Sequence, residues 1–400
     1  MSAKRTKQKK GRPEEKTMKL NERSATAVYY GFTPKDIRVA DTATLAKLKK
    51  SLELDPKKTS EITQDFDETV NLEEKISLIH KLIDEETNIS HPLMFYYGKK
   101  NTEKLVRAGL EIVGSNKSVA EATLIKTAIE MLRQEGYENL FVEINSVGDK
   151  DSLARLTREL TAYYRKHIND LPAECRQLLK KDVFDVLLYP HEKCILLRED
   201  APKPMNYLSE VSREHFREVL EFLERMDIPY QIVSSLVGNR KYVSHVVFEI
   251  KSGETGDQKA EVLARGIRYN GIAKKFGSRK DIPAVGVALS FKPLNGNRSE
   301  TLVTVKKPRI YFIQLGFEAK LKSLKVIEML RQEKIALQQS LSRDKLTVQL
   351  ATAENMKIPY VLIMGQREAL EDSVIVRTMT NRSQETIKID RLSEHLKKLK

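Results

Sequence analysis

The side chains best able to do chemistry in this chain are a few carboxylates, guanidiniums and sparse histidines. Glu111 lies inside the apolar run LEIV at 110–113. A carboxylate there either faces water from an edge strand or is buried and needs a cationic or hydrogen-bonding partner, because an unpaired buried charge is very costly. His191-Glu-Lys-Cys194 has the separation of a metal-ligand pair. Structural zinc needs four donors, and with no second Cys/His pair nearby no metal is expected. His215 and His395 fall on charged helix faces, which predicts solvated imidazoles. G-x-S-x-G, the phosphate-binding P-loop, G-x-G-x-x-G after a strand and H-E-x-x-H are all absent, so the enzyme classes built on them are not indicated.

Charge points to polyanions without naming one. The chain has 400 residues, 70 Lys+Arg against 56 Asp+Glu, and a formal net charge of +14. Within the first twenty residues, Lys4, Arg5, Lys7, Lys9, Lys10, Arg12, Lys16 and Lys19 face only Glu14 and Glu15, a net +6. This stretch has no apolar period and carries the breaker Gly11-Arg12-Pro13, so residues 1–22 read as a disordered basic arm. Lys4, Arg5, Lys9, Lys10 and Arg12 are its RNA-binding candidates; a solubility tail is the plainer reading. No apolar run nears the ~18 residues of a membrane span, and no signal-peptide core follows the basic start. A cytoplasmic protein with Cys175 and Cys194 reduced is expected.

The elements that must position these groups follow from periodicity. Helical spacing is clear over 73–89, 118–136, 152–169 and 212–226, and residues 55–68 read as a polar loop. Strands are predicted at 92–97, 105–113, 139–145, 230–237, 242–250, 260–269 and 284–291, with a short helix at 271–276. Mainly antiparallel strands interrupted by helices indicate an α+β fold. After residue 306, strand and helix alternate (309–315, 319–333, 334–339, 346–355, 360–364, 373–379, 386–389, 391–399), indicating a separate α/β domain.

Several stretches, kept in order, resemble the histidyl-tRNA synthetase family. LMFYYG at 93–98 followed by AGLEIVG at 108–114 is similar to the flanks of class II motif 2. INSVG at 144–148 resembles the family's NSLG segment, and ECR at 174–176 and SREHF at 212–216 its helical region. Residues 236–249, RYNG at 268–271 with PAVGVA at 283–288, and IPYVLIMG at 358–365 with Glu368, Val376-Arg377 and Gln384 resemble its histidine-specific and anticodon-binding stretches. The resemblance covers about residues 93–400. It implies a class II antiparallel sheet core flanked by helices over 23–305, with a helical insertion near 150–225, and an anticodon-binding-like α/β domain over 306–400. It also implies a homodimer, and makes Arg377 an RNA-binding candidate.

The departures bear on activity. Only ten residues separate Gly98 from Gly109, so the family's F-R-x-E arginine and its loop are missing. Losing one donor that stabilises charge on the transferred phosphate costs about 3 kcal/mol, roughly two orders of magnitude in rate. The motif 3 arginine falls at Pro293, the histidine-activating arginine at Gly238, and a substrate-binding glutamine at Arg107. Arg107, Glu111, Tyr242, Arg268 and Tyr269 are the pocket remnants. The expectation is a catalytically inactive paralogue needing no cofactor and binding tRNA, other RNA or a protein. The alternatives are a divergent histidine–tRNA ligase using ATP and Mg, with Lys99, Lys100, Lys104 or Arg107 replacing the lost groups, and a regulatory subunit of ATP phosphoribosyltransferase.

Overall fold

The computed structural model describes residues 17–399 apart from 55–60, 88, 90, 100–104, 256–258, 295–301, 340 and 342–344, together with the backbone but not the side chains of 61–64. The chain opens with β1 (Thr17–Asn21), α1 (Glu22–Tyr29), β2 (Thr33–Pro34), α2 (Thr42–Ser51), α3 (Glu61–Thr69) and α4 (Leu72–Asp84). The first long strands, β3 (Leu93–Gly98) and β4 (Val106–Val113), are followed by α5 (Val119–Gln134) and β5 (Leu140–Gly148). A helical insertion then runs through α6 (Lys150–Lys166), α7 (Ala173–Lys181), α8 (Val183–Leu188) and α9 (Glu192–Glu199) to α10 (Glu210–Arg225). The sheet resumes with β6 (Tyr230–Ile232), β7 (Ser244–Ser252), β8 (Glu261–Arg268), α11 (Ile272–Lys275) and β9 (Ala284–Phe291).

These strands form one eight-stranded sheet in the order β2-β3-β4-β9-β8-β7-β5-β6. Every pairing from β3 to β5 is antiparallel; only the short edge strands β2 and β6 pair in parallel. Period-two alternation gives the sheet two apolar faces. Tyr96, Leu110, Ile112, Phe248, Val285 and Val287 point to one side, where α5 and α10 pack with Leu124, Ile125, Phe216 and Phe222. Phe95, Val113, Val247, Ile267 and Ala284 point to the other, under α2, α4 and the helical insertion. Sandwiched in this way, α5 is buried at every position from Val119 to Leu132.

β10 (Leu302–Lys306) pairs with β1 and leads to the second domain: β11 (Ile310–Gln314), α12 (Phe317–Gln332), β12 (Gln338–Gln339), α13 (Leu346–Asn355), β13 (Tyr360–Met364), α14 (Gln366–Leu370), β14 (Ser373–Thr378), β15 (Gln384–Lys388) and α15 (Ile389–Lys398). Its sheet has the order β12-β11-β13-β14-β15, parallel as far as β13 and antiparallel beyond. The domain packs on the back of the large sheet: Phe317 meets Phe222 edge-on with centroids 5.3 Å apart, and Tyr30 Oη donates to Glu328 Oε2 at 2.5 Å. The α+β core and the α/β second domain match expectation.

Local readings differ from the structure in several places. Residues 61–68, read as loop, belong to the helix α3; its apolar residues are Ile62 and Phe66, and the Phe66 ring, with Val70 just beyond, anchors it to the core. Residues 17–21, read as part of the arm, pair with β10, and Asn21 caps α1 by accepting from Ser24 N at 2.9 Å. The strands predicted at 230–237 and 334–339 are only three and two residues long. Cys175 and Cys194, expected as thiols, are joined as a disulfide between α7 and α9. Among the described residues no helix is long and apolar enough to cross a membrane.

Candidate functional site

Glu111 sits on β4, which is flanked by β3 and β9, so it is not on an edge strand. Its side chain is fully buried and satisfied by three donors. Oε1 accepts from Lys75 Nζ at 2.6 Å and from Tyr97 Oη at 3.1 Å, and Oε2 accepts from Tyr269 Oη at 2.7 Å. Burial pushes the Glu111 carboxyl up, while Lys75 and the two hydroxyls pull it the other way. The phenols of Tyr97 and Tyr269 are raised well above their usual range by burial and by the facing carboxylate. Strand glycines make the room: a Cβ on Gly286, which faces Glu111 across the ladder, would lie 1.7 Å from Glu111 Oε2, and one on Gly109 2.2 Å from the Tyr97 ring.

Two helices lie over this cluster. Lys75 comes from α4 and is itself fully buried. From α3, Asp67 accepts from Tyr242 Oη at 2.5 Å and from Asn239 Nδ2 at 3.1 Å, and burial raises its carboxyl. Phe66 closes on Gly238, where an added Cβ would be 2.9 Å from its ring on a backbone already at φ +63°. A cleft of about 410 Å³ remains beside the cluster, lined by Lys49, Asp67, Asn71, Glu74, Lys99 and Arg107 among others. Its charges are largely paired off, Lys49 with Glu73 at 2.6 Å and Lys99 with Glu74 at 2.5 Å.

The predicted residues therefore part company. Glu111 and Tyr269 meet directly, Tyr242 joins the same wall through Asp67, and Arg107 is exposed at the cleft rim. Arg268 belongs to a second, fully buried cluster. Its Nε and Nη2 donate to the two Glu121 oxygens at 2.6 Å each, and Nη1 donates to Ser115 O at 2.8 Å. Burial pushes Glu121 up, but Arg268 and His215 outweigh it and hold the carboxyl well below its usual range. His215 is thus not solvated as expected: its Nε2 lies 2.9 Å from Glu121 Oε1, and its ring packs on His245 with centroids 5.3 Å apart. Burial, His215 and Arg268 lower His245 to about 4. Cys194 is bonded to Cys175, and His191 Nδ1 accepts from Lys193 N at 3.2 Å to cap α9. Arg377 lies on β14 opposite Val361 and Gln384, its Nε buried without a partner among the described residues. Lys4, Arg5, Lys9, Lys10, Arg12, Lys100 and Lys104 lie outside the described residues.

Lys75, Tyr97, Asp67 and Glu121 were not singled out from sequence. Lys75 did carry a signal: it stands inside the apolar stripe of Leu72, Ile76, Ile79 and Leu82, where a solvated lysine does not belong. Tyr97 is on the same face of its strand as Phe95, the partner of Glu111 in the ladder.

Residues 97–294 match the family model described as Histidyl-tRNA synthetase, and residues 309–399 match that described as Anticodon binding domain. The chain is a histidyl-tRNA synthetase-like protein. It is 29% identical over 365 residues to the histidine–tRNA ligase of Listeria innocua serovar 6a, covering 88% of this chain and 82% of that one. It is 27% identical over 310 residues to the Bacillus licheniformis ligase, covering 76% and 73%. The crystal structure of apo histidyl-tRNA synthetase from S. aureus superposes with a TM-score of 0.50 at 20% identity, over 94% of this chain and 93% of that chain, and so shares the fold. Within this histidyl-tRNA synthetase-like core, Gly238, where the resemblance would place the family's activating arginine, lies against the Phe66 ring. Arg240 beside it is taken up in an ion pair with Asp182, and Lys241 Nζ donates to Glu53 O at 2.7 Å.

Proposed function

We propose that this chain is a noncatalytic histidyl-tRNA synthetase paralogue, acting in the cytoplasm as a homodimer that binds tRNA or a related RNA. The observation that carries this reading is the Lys75 ammonium seated on Glu111 at 2.6 Å, which fills the pocket floor with a side chain of the protein itself. Adenylate formation needs fixed positive groups aimed at the α-phosphate. Of the cations described at the cleft, Lys49 and Lys99 are instead spent on Glu73 and Glu74, and Arg107 stands exposed at the rim. The anticodon-binding-like domain and the basic arm favour RNA, the arm adding sequence-independent, salt-sensitive affinity. No cofactor is required by this role.

The test is histidine-dependent ATP–pyrophosphate exchange on the purified protein, with binding of total tRNA measured on the same sample at two salt concentrations. The expected result is no exchange above background and tRNA binding that weakens steeply with salt. Exchange well above background would instead establish a ligase that uses ATP and Mg. Absence of both signals would refute the RNA reading and turn attention to a protein partner, the phosphoribosyltransferase of histidine biosynthesis included.

A further inference from the structure

Lys75 is a long cationic side chain in a place where its neighbours on α4, Ile76 and Ile79, hold the helix to the sheet by burial alone. Its ammonium is fully enclosed, bonded to Glu111 Oε1, and lies 5.5 Å from the centroid of the Tyr269 ring. Carboxylate and aromatic face are the two groups that recognise an organic cation, and here both converge on one nitrogen. A helix-to-sheet contact needs none of this. Replacing a buried ion pair by apolar residues of similar volume is often neutral or stabilising, so the pair is not explained by stability alone. The enclosure is narrow, because Gly286 and Gly109 leave only enough space for the carboxylate and the Tyr97 ring. It adjoins the cleft: Asn71, which lines the cleft, approaches Tyr97 Oη with its Nδ2 at 3.5 Å, so the pocket and the cleft share a wall.

We propose that the Glu111 pocket is a receptor for a primary alkylammonium group whose resident ligand is the chain's own Lys75, so that α4 is held on the sheet as a built-in plug. This deepens the noncatalytic reading and rests on it. Truncating Lys75 to alanine removes a three-carbon chain and its ammonium, and n-propylammonium supplies three carbons and an ammonium. The vacated channel should therefore take n-propylammonium from solution, through the cleft.

The experiment has two arms. In the unaltered protein, lysine-selective 1H–15N spectra should show one protected ammonium signal, absent from Lys75→Met, that neither L-histidine nor n-propylammonium perturbs. A perturbation by either compound would overturn the plug. In Lys75→Ala, n-propylammonium should raise the melting temperature saturably, whereas n-propanol and tetramethylammonium should not. The rise should vanish in Lys75→Ala/Glu111→Gln. If Lys75→Ala does not fold unaided, refolding yield with and without n-propylammonium replaces the melting temperature. No rescue beyond that given by n-propanol, or equal rescue in the double variant, would overturn the receptor. Pyrophosphate exchange by the unaltered protein would sink the noncatalytic reading while leaving the rescue result standing, so the two failures are distinguishable.

Discussion

Replacing Arg268 with leucine tests whether the second buried cluster is a structural ion pair. Arg268 and Glu121 are both fully buried, and the guanidinium engages both carboxylate oxygens at 2.6 Å as well as the carbonyls of Ser115 and Lys117 at 2.8 and 3.4 Å. Removing one partner of such a pair leaves an uncompensated charge and costs about 3–5 kcal/mol. At about 2–3 °C per kcal/mol for a unit of this size, calorimetry at pH 7 should show the core unfolding about 6–15 °C lower. The pH dependence fixes the cause. In the parent, Glu121 holds its proton more weakly folded than unfolded, so its contribution is complete above the unfolded value near 4.5 and is lost as pH falls below it. In the variant, burial without the guanidinium raises the folded carboxyl, so acidification neutralises it and relieves the strain. The deficit should therefore be largest at pH 7 and shrink towards pH 4.5, and Arg268→Leu/Glu121→Leu should recover most of it. A deficit below about 1 kcal/mol at pH 7, or one that grows on acidification, would refute the assignment.

Gly286→Ala places a Cβ 1.7 Å from Glu111 Oε2, and overpacking of this kind should cost about 2 kcal/mol or more in urea unfolding; an unchanged midpoint would mean the carboxylate is not fixed there. Gly238→Arg meets the Phe66 ring at 2.9 Å on a positive-φ backbone, so it should destabilise by about 1–3 kcal/mol and yield no pyrophosphate exchange, a result that a gain of activity would contradict. Deleting residues 1–16, which carry seven Lys/Arg, should flatten the dependence of log affinity on log salt for RNA by about 0.7 for each phosphate the arm neutralises; an unchanged slope would remove the arm from binding.

How far the sequence could be read depends on whether a signal is local. Strands such as β5, β7 and β9 are rich in β-branched and aromatic residues and could be placed from composition and turn residues, whereas the class II antiparallel sheet was what the family resemblance implied. Helix α3 was missed because Glu61–Thr69 is mostly polar, and its one described apolar anchor, Phe66, gains meaning only from Gly238, 172 residues later. Glu111 could be seen as a carboxylate in an apolar strand, but its partner lies on α4, and no local pattern pairs Lys75 with it. His215 misled for the same reason: on its own helix it sits among charged residues, and only the fold turns it towards Glu121. The basic composition of the first residues was legible, but the strand Thr17–Asn21 was not, since its partner lies near residue 304.

The changes in the cleft are coupled, so they are best understood as one structural state. Phe66 reaches the Gly238 backbone because α3 lies close over the sheet, and α3 leads through Val70 and Asn71 straight into α4, which carries Lys75. Asp67, one residue from Phe66, is bonded to Tyr242 and Asn239 on the segment that contains Gly238, so the same short helix both packs on Gly238 and ties its segment down. Reopening the cleft requires moving α3 and α4 together, which would break the Asp67 bonds and expose the carboxylate of Glu111 at once. The large sheet, by contrast, is insulated from the change: its opposite face packs on α5, α10 and the second domain, in an apolar cluster separate from the one beneath α3 and α4. The scaffold can therefore keep the synthetase-like fold and its anticodon-binding-like domain on one side of the sheet whatever arrangement α3 and α4 take over the Glu111 cluster on the other.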